Sequence, residues 1–187
     1  MLKFHCAMLS AMLLLAGCST VHNPFWRMKP DYSNLPEKAL RAVAADIEQA
    51  VAEGNREPDI PDRDGVMVNT PEIRQAIRAR AARKEILGEF LDTGHAYEKR
   101  NGLVYLLPSK EYRKSTKRRQ RDRNALLIMN ENNDRWTLYE GMVKASNLPP
   151  RALSAVQEIF YLARIEQMAP GHKYETLEGE IVEKGAE

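Results

Sequence analysis

The sequence contains very little cysteine. Its 187 residues include only Cys6 and Cys18, and both lie near the N-terminus. The chain beyond Cys18 therefore has no thiol for an internal disulfide or for a cysteine-ligated zinc site. A domain of about 150 residues buries roughly two-thirds of its unfolded surface, so it can fold on a hydrophobic core alone. We expect a single domain.

Histidine is also scarce, and its spacing argues against a metal centre or a catalytic base. His5, His22, His95 and His172 are far apart in the sequence. A zinc site needs clustered ligands, and a nucleophilic enzyme needs a base beside its nucleophile. A glycine-rich phosphate loop is missing too. We therefore predict no metal, no cofactor and no catalytic residue, and we do not expect an enzyme.

Long hydrophobic runs are absent, apart from a short one near the start. It extends from Ala7 to Leu15, follows Lys3, and ends in Leu15-Ala16-Gly17-Cys18. Spanning a bilayer takes about 20 apolar residues, so this run is too short. A charged start, an apolar segment and small residues are typical of an export signal. The closing four residues resemble a bacterial lipobox, which predicts a signal peptide over 1–17 and a covalent diacylglycerol and N-acyl chain on Cys18.

The residue after the lipidated cysteine suggests which membrane carries the anchor. It is Ser19, whereas an aspartate there favours retention in the inner membrane in enterobacteria-like sorting. We expect attachment to the outer membrane on its periplasmic side. Residues 18–33 contain Pro24 and Pro30 and show no period, so they are interpreted as a tether.

The rest of the chain predicts a mainly α fold of about four helices with one or two short β-hairpins. An amphipathic helix follows Asn34, the expected cap, and an acidic linker completes 34–69. The helical domain of 70–187 begins with a helix capped by Thr70 that extends to about Asp92. Asn101-Gly102 suits a type I′ hairpin turn. A long helix then runs from the basic segment to about Ser146, and a fourth covers about 150–168, followed by two short extended pieces.

Apolar spacing predicts which helix faces are buried. In the helix after Thr70, the arginines and Lys84 are assigned to the exposed faces. In the long helix, the residues assigned to the buried side are Leu126, Met129, Trp136, Tyr139 and Val143.

Charge is segregated along the chain. The formal charge is −3 over 18–69, +8 over 70–123 and −4 over 124–187. The densest basic run offers as candidate partner-binding residues Lys114, Lys117, Arg118, Arg119, Arg121 and Arg123. Tyr112 is the one aromatic residue in this run, so a nucleic-acid groove is not expected. A solvated helix face, an acidic partner, anionic headgroups and the acidic flanks of the same chain remain open.

A second candidate cluster combines polar and aromatic side chains at helical spacing. Asn132, Arg135 and Tyr139 fall on one side of the long helix. A buried polar group left unpaired costs about 1–3 kcal/mol, so such residues are typical of a hydrogen-bonded network that selects one packing. We favour this structural interpretation over a ligand groove.

Several segments together resemble the YdbL-like family of small exported proteins of diderm bacteria. The matching residues are Asn69-Thr70-Pro71-Glu72-Ile73, Gly94 with Glu98, Asn101-Gly102-Leu103-Val104, Asn132 with Arg135 and Tyr139, and Pro170-Gly171-His172-Lys173-Tyr174 with Gly179 and Lys184. The chain departs from the family pattern at Tyr97 and at Glu180-Ile181. The resemblance implies a periplasmic accessory or chaperone-like factor of an envelope system in which a small outer-membrane lipoprotein and a large bridge protein move phospholipid.

These observations lead to one expected function and two alternatives. We expect a lipid-anchored, non-catalytic accessory in envelope assembly or intermembrane lipid transport, with a bridge protein or small lipoprotein as partner. One alternative is a cell-wall hydrolase, which would need two facing carboxylates of shifted pKa. The other is a structural lipoprotein whose basic face binds anionic glycan or headgroups.

Overall fold

The computed structural model describes residues 30–185, so the signal peptide, Cys18 and most of the tether lie outside the described residues. The described chain is mainly α with short β elements, as predicted. Its elements are α1 (Glu37–Glu53), α2 (Pro71–Asp92), β1 (Ala96–Glu98), β2 (Val104–Leu106), α3 (Lys110–Ser115), α4 (Arg118–Ala145), a 3₁₀ turn (Pro150–Ala152), α5 (Leu153–Gln167), β3 (Lys173–Glu175) and β4 (Ile181–Glu183). No helix within this span is both long and apolar enough to cross a membrane.

The starts of α1 and α2 differ in how far the sequence anticipates them. The Thr70 hydroxyl accepts a hydrogen bond from the Ile73 amide at 3.3 Å and caps α2, as predicted. Asn34 was expected to cap α1 but does not. Its φ of 60° is left-handed, and α1 begins after Pro36 without a side-chain cap. Glu37 pairs instead with Arg41 one turn on.

The long basic helix is interrupted, which corrects the prediction of one continuous helix. Thr116 takes an extended conformation (φ −120°, ψ 136°), and its hydroxyl donates to the Tyr112 carbonyl. This side chain competes with the helical ladder and ends α3. Ser109 caps the start of α3 by accepting from the Tyr112 amide at 3.0 Å.

The predicted hairpin around Asn101-Gly102 is present, the two extended pieces near the C-terminus form a second hairpin, and both belong to one sheet with strand order β2-β1-β3-β4. The parallel β1–β3 pairing joins the two hairpins. The first turn is not the predicted type I′, because only Gly102 has a positive φ (81°) and Asn101 does not. The Lys99 amide donates to the Leu103 carbonyl at 2.8 Å, which makes a three-residue loop with glycine at its left-handed position.

The main core lies between α1, α2, α4 and α5. It includes Leu40 and Ile47 from α1, Ile73 from α2 and Phe160 from α5, all with 2% exposure or less. Each such side chain contributes about 1.5–3 kcal/mol of hydrophobic stabilisation when fully buried. The segment expected to be a linker also enters this core through Ile60, Val66 and Val68, so α1 belongs to the same packed body as the later helices.

The orientation of α4 differs from the prediction. Leu126, Met129 and Trp136 were assigned to the buried side, but all three are exposed. Tyr139 and Val143 are buried as expected. The core-facing side of α4 instead carries Asn124, Ile128, Glu131, Arg135, Leu138 and Met142. The apolar pattern predicted the wrong orientation of α4 because two charged residues, Glu131 and Arg135, occupy the buried face.

The end of the predicted tether contacts the domain. Tyr32 is packed against the main core, and its hydroxyl donates to Glu158 at 2.7 Å. Asp31 pairs with Arg151 at 3.1 Å. Asp31 therefore contacts the 3₁₀ turn and Tyr32 contacts α5, before α1 begins.

Candidate functional site

Six charged side chains meet at the centre of the domain and form a closed ring of ion pairs. Arginine and glutamate alternate, so each arginine contacts two glutamates and each glutamate contacts two arginines. We call this set the ion-pair ring. In order around the ring its members are Glu48, Arg80, Glu131, Arg135, Glu98 and Arg164, from α1, α2, α4, α4, β1 and α5.

Two of the arginines each form a bidentate ion pair with one glutamate through Nη1 and Nη2. Arg80 donates to Glu48 through Nη1 at 2.9 Å and Nη2 at 2.8 Å. Arg135 donates to Glu98 through Nη1 at 2.6 Å and Nη2 at 2.8 Å. The Nε atoms of both arginines then share Oε1 of Glu131, at 2.9 Å from Arg80 and 2.8 Å from Arg135. Paired bonds of this kind fix the orientation of both groups.

Arg164 closes the ring across the fold. Its Nη1 donates to Glu48 at 2.9 Å, and its Nε donates to Glu98 at 3.2 Å. Glu48 and Arg164 are 116 residues apart in the chain. The first helix and the last are therefore joined through the same set of charges.

Burial makes the ring important for stability. Its least buried member, Arg164, is 9% exposed. Removing water from a charge costs several kcal/mol, and the opposite charges compensate only if every partner is in place. Among the described residues, no buried side-chain nitrogen or oxygen lacks a hydrogen-bond partner.

The loop between β1 and β2 is inserted into the ring. The carbonyl oxygen of Gly102 accepts from Arg135 Nη1 at 3.2 Å, from Arg164 Nη2 at 2.8 Å and from the Tyr139 hydroxyl at 2.8 Å. Arg164 Nη1 also donates to the Tyr139 oxygen at 3.1 Å. A Cβ at Gly102 would stand 3.1 Å from the Gln157 carbonyl and 3.1 Å from the Tyr139 oxygen, so both neighbours would have to shift by a few tenths of an ångström, and the φ of 81° also favours glycine.

The ring keeps its carboxylates ionised. Burial alone would raise the pKa of Glu98, but the guanidiniums of Arg135 and Arg164 outweigh burial and lower that pKa to about 2. The same balance of burial against two guanidiniums lowers the pKa of Glu48 and of Glu131. Burial raises the pKa of the Tyr139 phenol. All three glutamates carry full negative charge at neutral pH.

A further pair extends the ring toward the surface. Arg83 Nη1 donates to the second oxygen of Glu131 at 3.0 Å, and Arg83 Nη2 donates to Asp134. Asp134 differs from the ring glutamates, because burial raises its pKa despite the attraction of Arg83.

The sequence contained a signal for the ring that the prediction missed. Arg80 was assigned to an exposed face, yet it is 2% exposed and lies on the apolar side of α2 with Ile73, Ile77 and Leu87. Glu48 adjoins Ile47 and Ala44 in the same way, and Glu131 lies between Ile128 and Leu138. A charged residue at a core position of a helical period must find an opposite charge.

A cavity of about 230 Å³ opens above the ring between α1, α2 and α5. The ring residues form its floor. Its remaining lining includes Val51, Ala52, Lys84, Leu87, Gly88, Leu91, Met168 and His172. The carboxylates on this floor already accept hydrogen bonds from arginines and have lowered pKa values, so they do not resemble the proton-donating carboxyl of a hydrolase.

The structure separates the three residues predicted to form one network. Arg135 and Tyr139 meet at Gly102 and belong to the ring region. Asn132 instead pairs with the edge of β2, where its Oδ1 accepts from the Val104 amide and its Nδ2 donates to the Val104 carbonyl, both at 2.9 Å. The Asn132 amide thus makes the two backbone hydrogen bonds to Val104 that a neighbouring strand would otherwise make.

The six candidate partner-binding residues lie together at the junction of α3 and α4. With Lys110 and Arg113 they form what we call the basic surface. Seven of its eight members are exposed, and Arg121 is partly buried because it donates to the Thr116 carbonyl. Within residues 30–185 no carboxylate lies within 4.0 Å of any of these cations. The described parts of the acidic flanks, residues 30–69 and 124–185, therefore form no ion pair with the basic surface.

Neither described histidine is part of a metal cluster. His95 packs against Tyr112 with ring centroids 5.0 Å apart and the rings tilted by 57°, and His172 Nε2 lies 2.6 Å from Asp92 Oδ1. In the part of the chain that the structure covers, no group of three or more metal-ligating side chains converges.

The chain matches no family model, and neither a curated protein nor a solved structure shows significant similarity to it. The resemblance to the YdbL-like family therefore rests on the residues quoted for it and stays a prediction.

Proposed function

We propose that the protein is a lipoprotein anchored through Cys18 to the periplasmic side of the outer membrane. There it acts as a non-catalytic accessory or chaperone-like factor in envelope assembly or intermembrane lipid transport. The envelope system implied by the YdbL-like resemblance supplies its partners, a bridge protein or a small lipoprotein. Nucleic acid, metal and cofactor other than the covalent lipid have no part in the proposal.

The observation that carries the proposal is the unpaired basic surface. Residues 110–123 contain eight cations and two carboxylates, Glu111 and Asp122, which gives a formal charge of +6. Because none of these cations forms an ion pair within residues 30–185 and the segment keeps a net positive charge, their natural complement is an anionic partner outside the domain. A surface of this kind is typical of binding rather than of catalysis.

The ion-pair ring supports the non-catalytic part of the proposal. A hydrolase of the cell wall would use one protonated and one ionised carboxyl group with a gap between them. The three buried glutamates are instead bound to arginines, which holds them ionised. We assign the ring a scaffolding role: it fixes α1, α2, α4, α5 and β1 relative to one another.

The anchor is tested by replacing the lipidated residue. Cys18→Ser should abolish acylation, and intact-mass measurement should show loss of the diacylglycerol and N-acyl groups. The wild-type protein should fractionate with outer membranes, whereas the variant should not. An unmodified wild-type protein that keeps its leader would refute the anchor and the location.

The accessory role is tested by crosslinking in the native envelope. Photo-crosslinking residues at Lys110 and Lys114, both exposed on α3, should capture a bridge protein or small lipoprotein, identified by mass spectrometry. The same residue at Lys38, an exposed cation of α1 outside the basic surface, is the matched control. If the basic-surface positions repeatedly capture no protein, or capture the same proteins as the Lys38 control, the result would argue against the role. Salt-sensitive binding to purified sacculi would favour the structural alternative.

A further inference from the structure

Helix α4 presents three large apolar side chains in a row to solvent. Leu126 is 54% exposed, Met129 50% and Trp136 36%. Successive helical residues turn by about 100°, which places these three within roughly a quarter of the circumference, opposite the face that enters the core. Single exposed apolar residues are ordinary, but three on one helix face are a feature of the surface.

The same face begins with cations. By the same helical geometry, Arg118 and Arg119 precede Leu126 on this side of α4, and the rest of the basic surface adjoins it at the junction with α3. Asp122 is the one carboxylate between the arginines and Leu126. The result is an exposed helix that combines a cluster of positive charge with an apolar row.

We propose that this face of α4 docks on a bilayer that contains anionic phospholipid. Leu126, Met129 and Trp136 enter the headgroup layer, and Arg118 and Arg119 contact the lipid phosphates. This inference rests on the proposed function for the anchor, which brings a bilayer within reach. Cys18 and Pro30 are separated by 12 residues, which span at most about 40 Å.

The shape and charge of the face favour a bilayer over an acidic protein. Leu126 and Trp136 are ten residues apart in α4, which is about 15 Å along the axis. The polar residues Asn130 and Asn133 lie among the apolar ones. A specific protein interface usually needs a continuous apolar core and about 800 Å² on each partner. Four to eight basic residues on an amphipathic helix are instead typical of binding to anionic lipid.

The test uses Trp136 as a reporter in the full-length lipidated protein. The chain has two tryptophans, so Trp26→Phe leaves Trp136 alone. The protein is reconstituted into vesicles of phosphatidylcholine with or without phosphatidylglycerol, both with brominated acyl chains. Because the anchor holds the protein on both kinds of vesicle, any difference in Trp136 quenching reports the docking of α4 and not the attachment.

We expect strong quenching and a blue shift of Trp136 on the anionic vesicles and little of either on the neutral ones. High salt should reverse the effect. Arg118→Gln combined with Arg119→Gln should lower the ratio of docked to undocked protein about fivefold for each charge removed. Leu126→Ser combined with Met129→Ser should reduce the quenching without altering the salt dependence. Leu177→Ser, an exposed apolar change on the β3–β4 hairpin, is the control and should have no effect.

Equal quenching on both vesicle types, or none on either, would overturn the proposal, as would insensitivity to the Leu126 and Met129 changes. Capture of an acidic protein by a crosslinker at Met129, without a vesicle effect, would assign the face to that protein instead. Failure of the anchor shows separately, as protein that does not float with neutral vesicles. Anionic vesicles added to such unanchored protein should still quench Trp136 if the docking proposal is correct.

Discussion

Arg135 and Arg164 carry like charges and yet donate to the same two acceptors, the carbonyl oxygen of Gly102 and Oε2 of Glu98. Two guanidiniums can approach this closely inside a protein only because carboxylates lie between and beside them. The Gly102 carbonyl, at the tip of the β1–β2 hairpin, is thus hydrogen-bonded to both α4 and α5. The following predictions test what this arrangement contributes.

Glu131→Gln should destabilise the domain by about 3–5 kcal/mol, because it leaves Arg80 and Arg135 with an uncompensated buried charge. The measurement is equilibrium unfolding in urea. Glu37→Gln makes the same chemical change in an exposed pair with Arg41, and we expect it to alter stability by less than about 1 kcal/mol. Similar losses in the two variants would show that the ring does not hold the fold together.

Stability should fall in acid because of the ring carboxylates. A glutamate whose pKa is lowered by folding stabilises the native state above its unfolded pKa and loses that contribution as pH falls through its folded pKa. For Glu98 this window lies between its ordinary pKa of 4.5 and about 2. Each proton taken up on unfolding adds a slope of about 1.4 kcal/mol per pH unit. Urea midpoints that stay constant from about pH 5 to 3 would contradict the lowered pKa values.

Gly102→Ala should cost more than Gly179→Ala, although both glycines have a similar positive φ, 81° and 88°. A non-glycine residue in the left-handed region costs about 1–2 kcal/mol, and this applies to both. Only Gly102 is crowded, since nothing lies within 4 Å of a Cβ at Gly179. The difference between the two unfolding free energies measures the fit of the hairpin into the ring. Equal losses would mean that the loop can move away from Tyr139.

Asn132→Leu should destabilise the domain by about 1–3 kcal/mol for each backbone group of Val104 that it leaves without a partner. Val104 is 1% exposed, so water does not easily replace the amide. Asn133→Leu, the same change at the next and exposed position, should have an effect within about 0.5 kcal/mol. Amide hydrogen exchange at Val104 should accelerate in the first variant only. Unchanged exchange there would contradict the role of Asn132.

The sequence anticipated the elements better than their mutual arrangement. Thr70 and the extended runs around residues 96–106 act locally, so the start of α2 and the first hairpin followed from short-range rules. The parallel pairing of β1 with β3 depends on residues more than 70 positions apart. No local pattern specifies such a contact.

The candidate site shows the same division. Arg135 and Tyr139 were recognised as a polar and aromatic combination at helical spacing, but their partners Glu98 and Arg164 were not. Ion-pair partners are chosen by the tertiary fold, and the apolar rule placed charged residues outside. This error turned the predicted inner face of α4 by about a third of a turn, which assigned Trp136 to the core.

The ring residues are far apart in the sequence, and this separation has a consequence for biosynthesis. Glu48 leaves the ribosome early and Arg164 late, with most of the domain between them. A nascent chain that lacks α5 has Glu48 and Glu98 each short of one cation, and it has no β3 to pair with β1. The ring can therefore be completed only after α5, which carries Arg164, has been made.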